Sequence, residues 1–174
     1  MKEILRTERL LLREMTEKDE PALREILMDQ DVMYAYGHAF SEEEVHAWLV
    51  RQQGRYRDDG FGLWAMVRLD NGKMIGQCGI TMQPIGERRM PEVGYLLRKD
   101  HWHMGYATEA AVACRDYAFA NLGIREICSI IRNNNMPSRR VAVRNGMTIT
   151  GCFTKFYHGE YMPHLIYSVS RKDD

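Results

Sequence analysis

The chain has 174 residues, enough for one domain with a buried core. Hydrophobic residues make up 45% and charged residues 28%, an ordinary globular composition. Lys plus Arg and Asp plus Glu number 24 each, and this balance speaks against nucleic acid or an anionic membrane as the main partner.

No apolar run reaches signal-peptide or membrane-span length, and Lys2 and Glu3 put charge at the start, so the expected compartment is the cytoplasm. Cys78, Cys114, Cys128 and Cys152 form no CxxC pair and lie in apolar surroundings. Buried, reduced thiols are expected rather than disulfides or metal ligands. The six histidines form no HExxH and no paired spacing with Cys, so no metal site is expected.

A first strand is expected at Arg9–Met15. Asp19 then suits a helix N-cap, with Pro21 in the first turn and Leu23, Ile26 and Leu27 at helical spacing. A second helix begins at Ser41, which forms a capping box with Glu44 and precedes the apolar stripe Val45, Trp48 and Leu49. Between them, 32–40 reads as an irregular aromatic loop. Its Tyr34, Tyr36 and His38 suit a substrate-pocket wall as well as a loop over the core.

Strands follow at 61–69 and 74–82, joined by a hairpin turn at Asn71-Gly72. Gly76 and Gly79 inside the second of these imply a bulge or a close neighbour. A turn at 84–89 leads to a strand at 90–98. After a loop at 99–104, an Ala-rich helix covers 105–121, and a short strand covers 126–131. Strand, helix and strand form one crossover, so these two strands should be parallel. Asn135 caps a short helix that Gly146 ends, and a final hairpin spans 147–157 and 161–170 through His158-Gly159-Glu160. The expected architecture is a mixed α/β sheet of about seven strands with helices on both faces, one domain over 1–174.

The loop into the Ala-rich helix is the most informative stretch. Free N–H groups at a helix start, reinforced by the helix dipole, cradle an anion. Gly105 has no side chain to block a ligand, and Ala107 keeps the approach open. A diphosphate is the expected guest. Glu109 suits the same helix start as a plain first-turn acid.

Three motifs carry a resemblance. They are Trp102-His103-Met104-Gly105-Tyr106-Ala107-Thr108-Glu109-Ala110, Asn135-Met136-Pro137-Ser138 and Asn145-Gly146-Met147. Together they resemble the GNAT superfamily of acyl-CoA N-acetyltransferases. Within it, Thr7–Arg13, Glu92–Tyr95 and Tyr167-Ser168 resemble the RimJ/RimL-type branch of ribosomal-protein N-terminal acetyltransferases. The resemblance implies acetyl-CoA as co-substrate, with its diphosphate on the backbone of His103, Met104, Gly105, Tyr106, Ala107 and Thr108. It implies a pantetheine arm along Leu96, Leu97 and Arg98, where two parallel strands splay. Asn135 would face that arm and Ser138 the thioester sulfur. The chain departs from the branch at Pro163, where Asp is common, and at Tyr157, which aligns with a Glu base in the ribosomal-protein enzymes.

Acetyl transfer needs a neutral amine, a close thioester, a donor for the oxyanion and a proton for the thiolate. A backbone N–H near Leu97 suits the oxyanion. Glu92 suits the base, since a carboxylate in a partly dry cleft has a raised pKa; a solvated Glu at a strand start is the plain alternative. Tyr157, Glu160 and His164 stand in reserve. Ser138 is equally an ordinary first-turn hydroxyl and Asn135 an ordinary N-cap. Arg139 and Arg140 suit either CoA phosphates or a solvated face, and Trp64 either the acceptor pocket or the core. The expected acceptor is a small-molecule amine or a protein N-terminus. A non-catalytic acyl-CoA-binding module is the alternative, and a Rossmann dehydrogenase fits poorly because there is no GxGxxG. The assembly is open, with homodimers the commonest state of soluble oligomers.

Overall fold

A computed structural model describes residues 2–157 and 159–172. Its β-strands are β1 Glu3–Arg6, β2 Leu10–Arg13, β3 Leu63–Arg68, β4 Met74–Ile85, β5 Arg88–Leu97, β6 Glu126–Arg132, β7 Thr148–Tyr157 and β8 Glu160–Ser170. They form one sheet in the order β1-β2-β3-β4-β5-β6-β8-β7. Neighbours are antiparallel except β5 and β6, which are parallel, as a helical crossover between them requires. The helices are α1 Glu20–Leu27, α2 Gln30–Met33, α3 Glu42–Asp58, α4 Tyr106–Asn121 and α5 Met136–Arg144.

Helices cover both faces, because alternate residues of the central strands bury toward opposite cores. From β3, Trp64 and Met66 join Ala110, Ala111 and Cys114 of α4 and Val141 and Ala142 of α5. Leu63, Ala65 and Val67 join Leu23, Ile26 and Leu27 of α1 and Val45, Trp48 and Leu49 of α3. Trp64 is therefore a core residue, edge-on to Tyr117 at 5.7 Å, and not a pocket wall. The two strand glycines mark close neighbours. A Cβ on Gly76 would press on the Leu96 carbonyl oxygen, and one on Gly79 on the Gly62 carbonyl oxygen.

The described residues hold eight strands rather than about seven. The addition is β1, whose Ile4 and Leu5 lie between charged ends and show no alternation that marks a strand. The strand at 9–15 becomes β2. The segment 32–40 is more ordered than a loop. The Asp29 carboxylate accepts from the N–H groups of Asp31 (2.8 Å) and Val32 (3.3 Å), starting α2, and a 3-10 turn at Tyr34–Tyr36 ends on Gly37 at φ 86°. Strands β4 and β5 run past the expected turn, which shrinks to Gly86-Glu87. In the final hairpin His158 lies outside the described residues. Cys78 and Cys114 are buried with sulfurs 3.6 Å apart and Cys128 is buried, but Cys152 is exposed, because it sits on the edge strand β7.

Asp19 precedes α1 but its side chain does not cap that helix. Its carboxylate instead takes both Arg13 Nη atoms, at 2.8 and 2.6 Å, and the Thr16 N–H at 2.8 Å. This ties β2 to the entrance of α1 with both side chains nearly buried, 11% and 7% exposed. Burial alone would push the Asp19 carboxyl up, but Arg13 and Thr16 outweigh it and bring the pKa below the usual range. A carboxyl with a depressed native pKa stabilises the fold above its unfolded pKa and stops doing so as pH falls through the native one. Asp19→Asn should therefore cost about 3 kcal/mol at neutral pH, the order expected for breaking a buried pair. In urea unfolding, the gap between wild type and variant should close as pH drops below about 4; a gap independent of pH would contradict the assignment.

Candidate active site

The parallel strands β5 and β6 meet at one residue pair, Glu92 with Cys128, and then diverge. Two side chains occupy the fork. Glu92 Oε1 accepts from the Ile130 N–H at 3.0 Å, and Ser129 Oγ donates to the Val93 carbonyl at 2.8 Å. Beyond them the inner edge of β5 is open. The Arg98 N–H donates to Ile75 O at 2.9 Å, so the alternation of the antiparallel ladder turns the backbone of Leu97 and Tyr95 away from β4, toward the gap. The Leu97 carbonyl accepts from Trp102 Nε1 at 2.9 Å. That leaves the Leu97 N–H, like that of Tyr95, as a donor facing the gap.

The loop after β5 is where an anion cradle is expected. His103 at φ 62° and Gly105 at φ 83° turn the chain so that the start of α4 faces the cleft. The N-termini of α3 and α5 are capped by the Ser41 and Asn135 side chains, whereas Gly105 gives α4 no side-chain cap. The first-turn N–H groups of α4 are thus left for a ligand. Glu109 does not take that place. It accepts from Thr7 Oγ1 (2.6 Å), the Arg9 N–H (2.9 Å) and Arg9 Nε (2.7 Å). Burial would raise its pKa, but these donors bring it below the usual value. Arg9 also lies 4.3 Å over the Tyr106 ring, bracing the helix start against the β1–β2 hairpin.

On the β6 side, Asn135 Oδ1 accepts from the Ser138 N–H at 3.2 Å, the expected N-cap, and also from Tyr34 OH at 2.6 Å. Arg132 Nη1 donates to the Tyr34 carbonyl at 3.2 Å. The 3-10 turn thus bridges to the far strand of the fork. The Ser138 carbonyl accepts from Tyr95 OH at 2.8 Å, and burial raises the Tyr95 pKa well above that of a free phenol, keeping it protonated.

All this lines one cavity of about 1230 Å³. Leu96, Leu97, His103, Gly105, Tyr106, Ala107 and Thr108 border it, as do Asn135, Ser138, Glu92, Tyr157, Tyr34 and Tyr36. Three expected residues do not. The Arg98 side chain turns out to Glu25 (2.5 Å) and Asp100 (2.9 Å). Met104 is exposed, with its carbonyl held by Arg9 at 3.0 Å. His38 packs behind the wall, 5.4 Å from the Phe40 ring and 6.4 Å from the Tyr157 ring, with Nε2 3.0 Å from Glu44. Of the reserves, His164 borders the cavity; its Nδ1 lies 2.7 Å from the Met162 carbonyl, and burial lowers its pKa, favouring a neutral ring. Glu160 does not border it. Burial raises the Glu92 pKa, against the Ile130 N–H and the charges of Lys155 and Arg55.

Residues 9–148 match the model of the acetyltransferase (GNAT) domain. The chain belongs to the GNAT acetyltransferase family. It is 35% identical over 142 residues to the uncharacterized protein YkkB of Bacillus subtilis, covering 81% of this chain and 83% of that one. The acetyltransferase from Agrobacterium tumefaciens is 30% identical, with a TM-score of 0.81 over 96% of this chain and 94% of that one. The ribosomal L7/L12 protein acetyltransferase RimL, solved with coenzyme A, shares the fold with a TM-score of 0.79 at 20% identity, over 97% of this chain and 98% of that one.

Some features of the cleft were not readable in the sequence. Tyr95 stood in the Glu92–Tyr95 motif, but the chain separation of 43 hides its bond to Ser138. Arg51 and Arg55 on α3 were not singled out in the sequence, although both border the cavity. Their i, i+4 spacing was the available clue. Arg139, in contrast, is spent on Tyr167 OH (3.0 Å) and the Asn133 carbonyl (3.0 Å), while Arg140 borders the cavity.

The left-handed Gly105 supplies a test of the cradle. Asn tolerates positive φ better than other side chains. Gly105→Asn should therefore fold and yet weaken coenzyme A binding at least about tenfold in calorimetric titration, a loss of about 1.4 kcal/mol. Unchanged affinity in the folded variant would move the diphosphate elsewhere.

Proposed function

We propose that this chain is an acetyl-CoA-dependent N-acetyltransferase, one domain over 1–174, that acetylates a primary amine in a ternary complex. The observation that carries it is the fork: Glu92 stands at its throat, in the same cavity as the uncapped start of α4. Acetyl-CoA supplies the acetyl group, the amine gaining a C–N bond as the thioester C–S bond breaks, with one proton lost from nitrogen and one returned to sulfur.

The chain's own residues have separable tasks. The backbone N–H groups of 103–108 hold the diphosphate. Leu96, Leu97 and Asn135 flank the pantetheine arm, and the Leu97 N–H serves the oxyanion. Glu92 takes the proton from the amine, directly or through a water. Ser138 gives a hydrogen bond to the departing sulfur. Tyr157 is the second choice for proton transfer. Tyr34 and Tyr36 border the acceptor. The fold likeness to RimL keeps a protein N-terminus among the acceptors, beside small-molecule amines.

The Glu92 pKa is raised in the folded state, so its ionisation weakens the fold as pH rises from the unfolded carboxyl pKa through the native one. Glu92→Gln keeps an oxygen for the Ile130 N–H and removes that charge. The variant should be at least as stable as wild type at neutral pH, bind acetyl-CoA with similar affinity, and turn over at least about a hundredfold more slowly, the lower end expected for losing a base. It should also lose the rise of rate with pH that ionisation of Glu92 produces. A full rate and an unchanged pH profile in Glu92→Gln would exclude Glu92 as the base. Acetyl-CoA binding without thiol release on a broad amine panel would instead favour a non-catalytic acyl-CoA-binding module.

A further inference from the structure

The acceptor half of the cavity holds more cationic charge than an amine pocket calls for. Arg51 and Arg55 border it one turn apart on α3, and Lys155 borders it from β7. Among the described residues none of the three lies within 4.0 Å of a carboxylate oxygen. Arg55 Nη1 donates to Gln52 Oε1 at 3.2 Å, Arg51 lies 5.7 Å from the Trp48 ring centroid, and Lys155 Nζ lies 5.6 Å from that of Phe153.

The carboxylates nearby form no direct ion pair with them: Glu92 acts on Arg55 and Lys155, and Asp59 on Arg55, only at longer range. Glu44 is engaged by the Ser41 N–H at 2.8 Å and His38 Nε2 at 3.0 Å. Glu92 is engaged by the Ile130 N–H. Glu109 belongs to the cradle end and is held by Thr7 and Arg9. The arginines do not belong to the phosphate end either: burial and the neighbouring Arg51 depress the Arg55 pKa, while Glu92, Asp59 and Tyr36 act against them. The phosphate end has its own cations in Arg140 and Arg144. Two like charges at i, i+4 weaken a helix, and a half-buried guanidinium with no carboxylate in direct contact is costly. A guest carboxylate relieves both, and the planar fork of Arg suits it in bidentate fashion. Tyr36, Phe40 and Trp48 form an edge-to-face cluster with centroids 5.7 to 6.3 Å apart, an apolar wall beside these charges.

The geometry points to an acceptor that bears a carboxylate near its amine, with Arg55 and Lys155 selecting it. Such an acceptor is either a free amino acid or a peptide with an acidic residue next to its N-terminus. This rests on the N-acetyltransferase function proposed above. The amine faces Glu92 and the carboxylate faces the cations, so one acceptor spans the pocket by its two charged ends.

Acetylation by the purified full chain should be followed by mass spectrometry with acetyl-CoA and matched acceptors. One series is phenylalanine, phenylalaninamide and phenethylamine; the other is C-terminally amidated Ala-Asp against C-terminally amidated Ala-Asn. In at least one series the carboxylate-bearing member should have a kcat/KM at least about tenfold above its neutral partner, and the series that does so identifies the source. Arg55→Gln and Lys155→Gln should each pull that ratio toward one, mainly through KM, with unchanged acetyl-CoA affinity in titration as the control for folding. Equal or better use of neutral partners in both series would overturn the carboxylate preference and leave the N-acetyltransferase function standing. A ratio unchanged in both variants would overturn the assignment to Arg55 and Lys155. No transfer to any of the five acceptors, with acetyl-CoA bound, would overturn both.

Discussion

The fork between β5 and β6 is the constraint on which the site depends. Parting two strands in mid-sheet exposes backbone donors and acceptors, and a buried unpaired group costs about 1–3 kcal/mol. The chain meets that cost at the point of divergence with side chains. Glu92 takes the Ile130 N–H, and Ser129 takes the Val93 carbonyl. Each arm is also braced from outside. Strand β5 is in continuous register with β4 from Leu97 opposite Gly76 to Arg88 opposite Ile85, and β6 with β8 from Glu126 to Arg132. The inner edge can stay open because the outer edges are fully laddered. Gly76 allows this bracing, since a Cβ there would press on the Leu96 carbonyl of β5, while Gly79 lets β4 lie against Gly62 just before β3.

A second consequence concerns charge at the start of α4. A carboxylate in the first helical turn ordinarily competes for the helix dipole. Here Glu109 is turned aside by Thr7 and Arg9, so its charge is neutralised against the β1–β2 hairpin and the N–H groups stay open. The same Arg9 holds the Met104 carbonyl and covers Tyr106. Strand β1 and the turn after it, peripheral in the sheet, therefore help to shape the cradle near the centre. Arg9, on the turn after β1, has its partners about a hundred residues along the chain.

What the sequence made legible is what local rules encode. Ser41 with Glu44, Asn135 before Pro137, and Asn71-Gly72 each specify a cap or turn within four residues, and each is found where expected. The loop ending at Gly105 and the parallel crossover are of the same kind. The failures are long-range. Asp19 has the residue type of an N-cap, but Arg13 and Thr16 claim its carboxylate. Arg98 lies on the expected cofactor strand, but it falls just past the end of β5 and pairs outward with Glu25 and Asp100. His38 follows two tyrosines that border the cavity and still packs behind its wall, because Gly37 at φ 86° reverses the chain between them.

The two halves of the cleft also differ in how they are built. The cofactor half uses backbone: N–H groups of a loop and helix start, and the freed edge of β5. Such a site needs only a glycine and small residues in one short stretch, which is why it reads clearly and why it falls inside the matched family region, 9–148. The acceptor half uses side chains from α3, the 3-10 turn at Tyr34–Tyr36 and the final hairpin. Lys155, Tyr157 and His164 lie beyond that region. On the proposed function, a backbone cradle serves what family members share, the coenzyme's diphosphate. Side chains brought in from separate elements can be exchanged one at a time without disturbing the fork, and so this half is where one member's acceptor can diverge from another's.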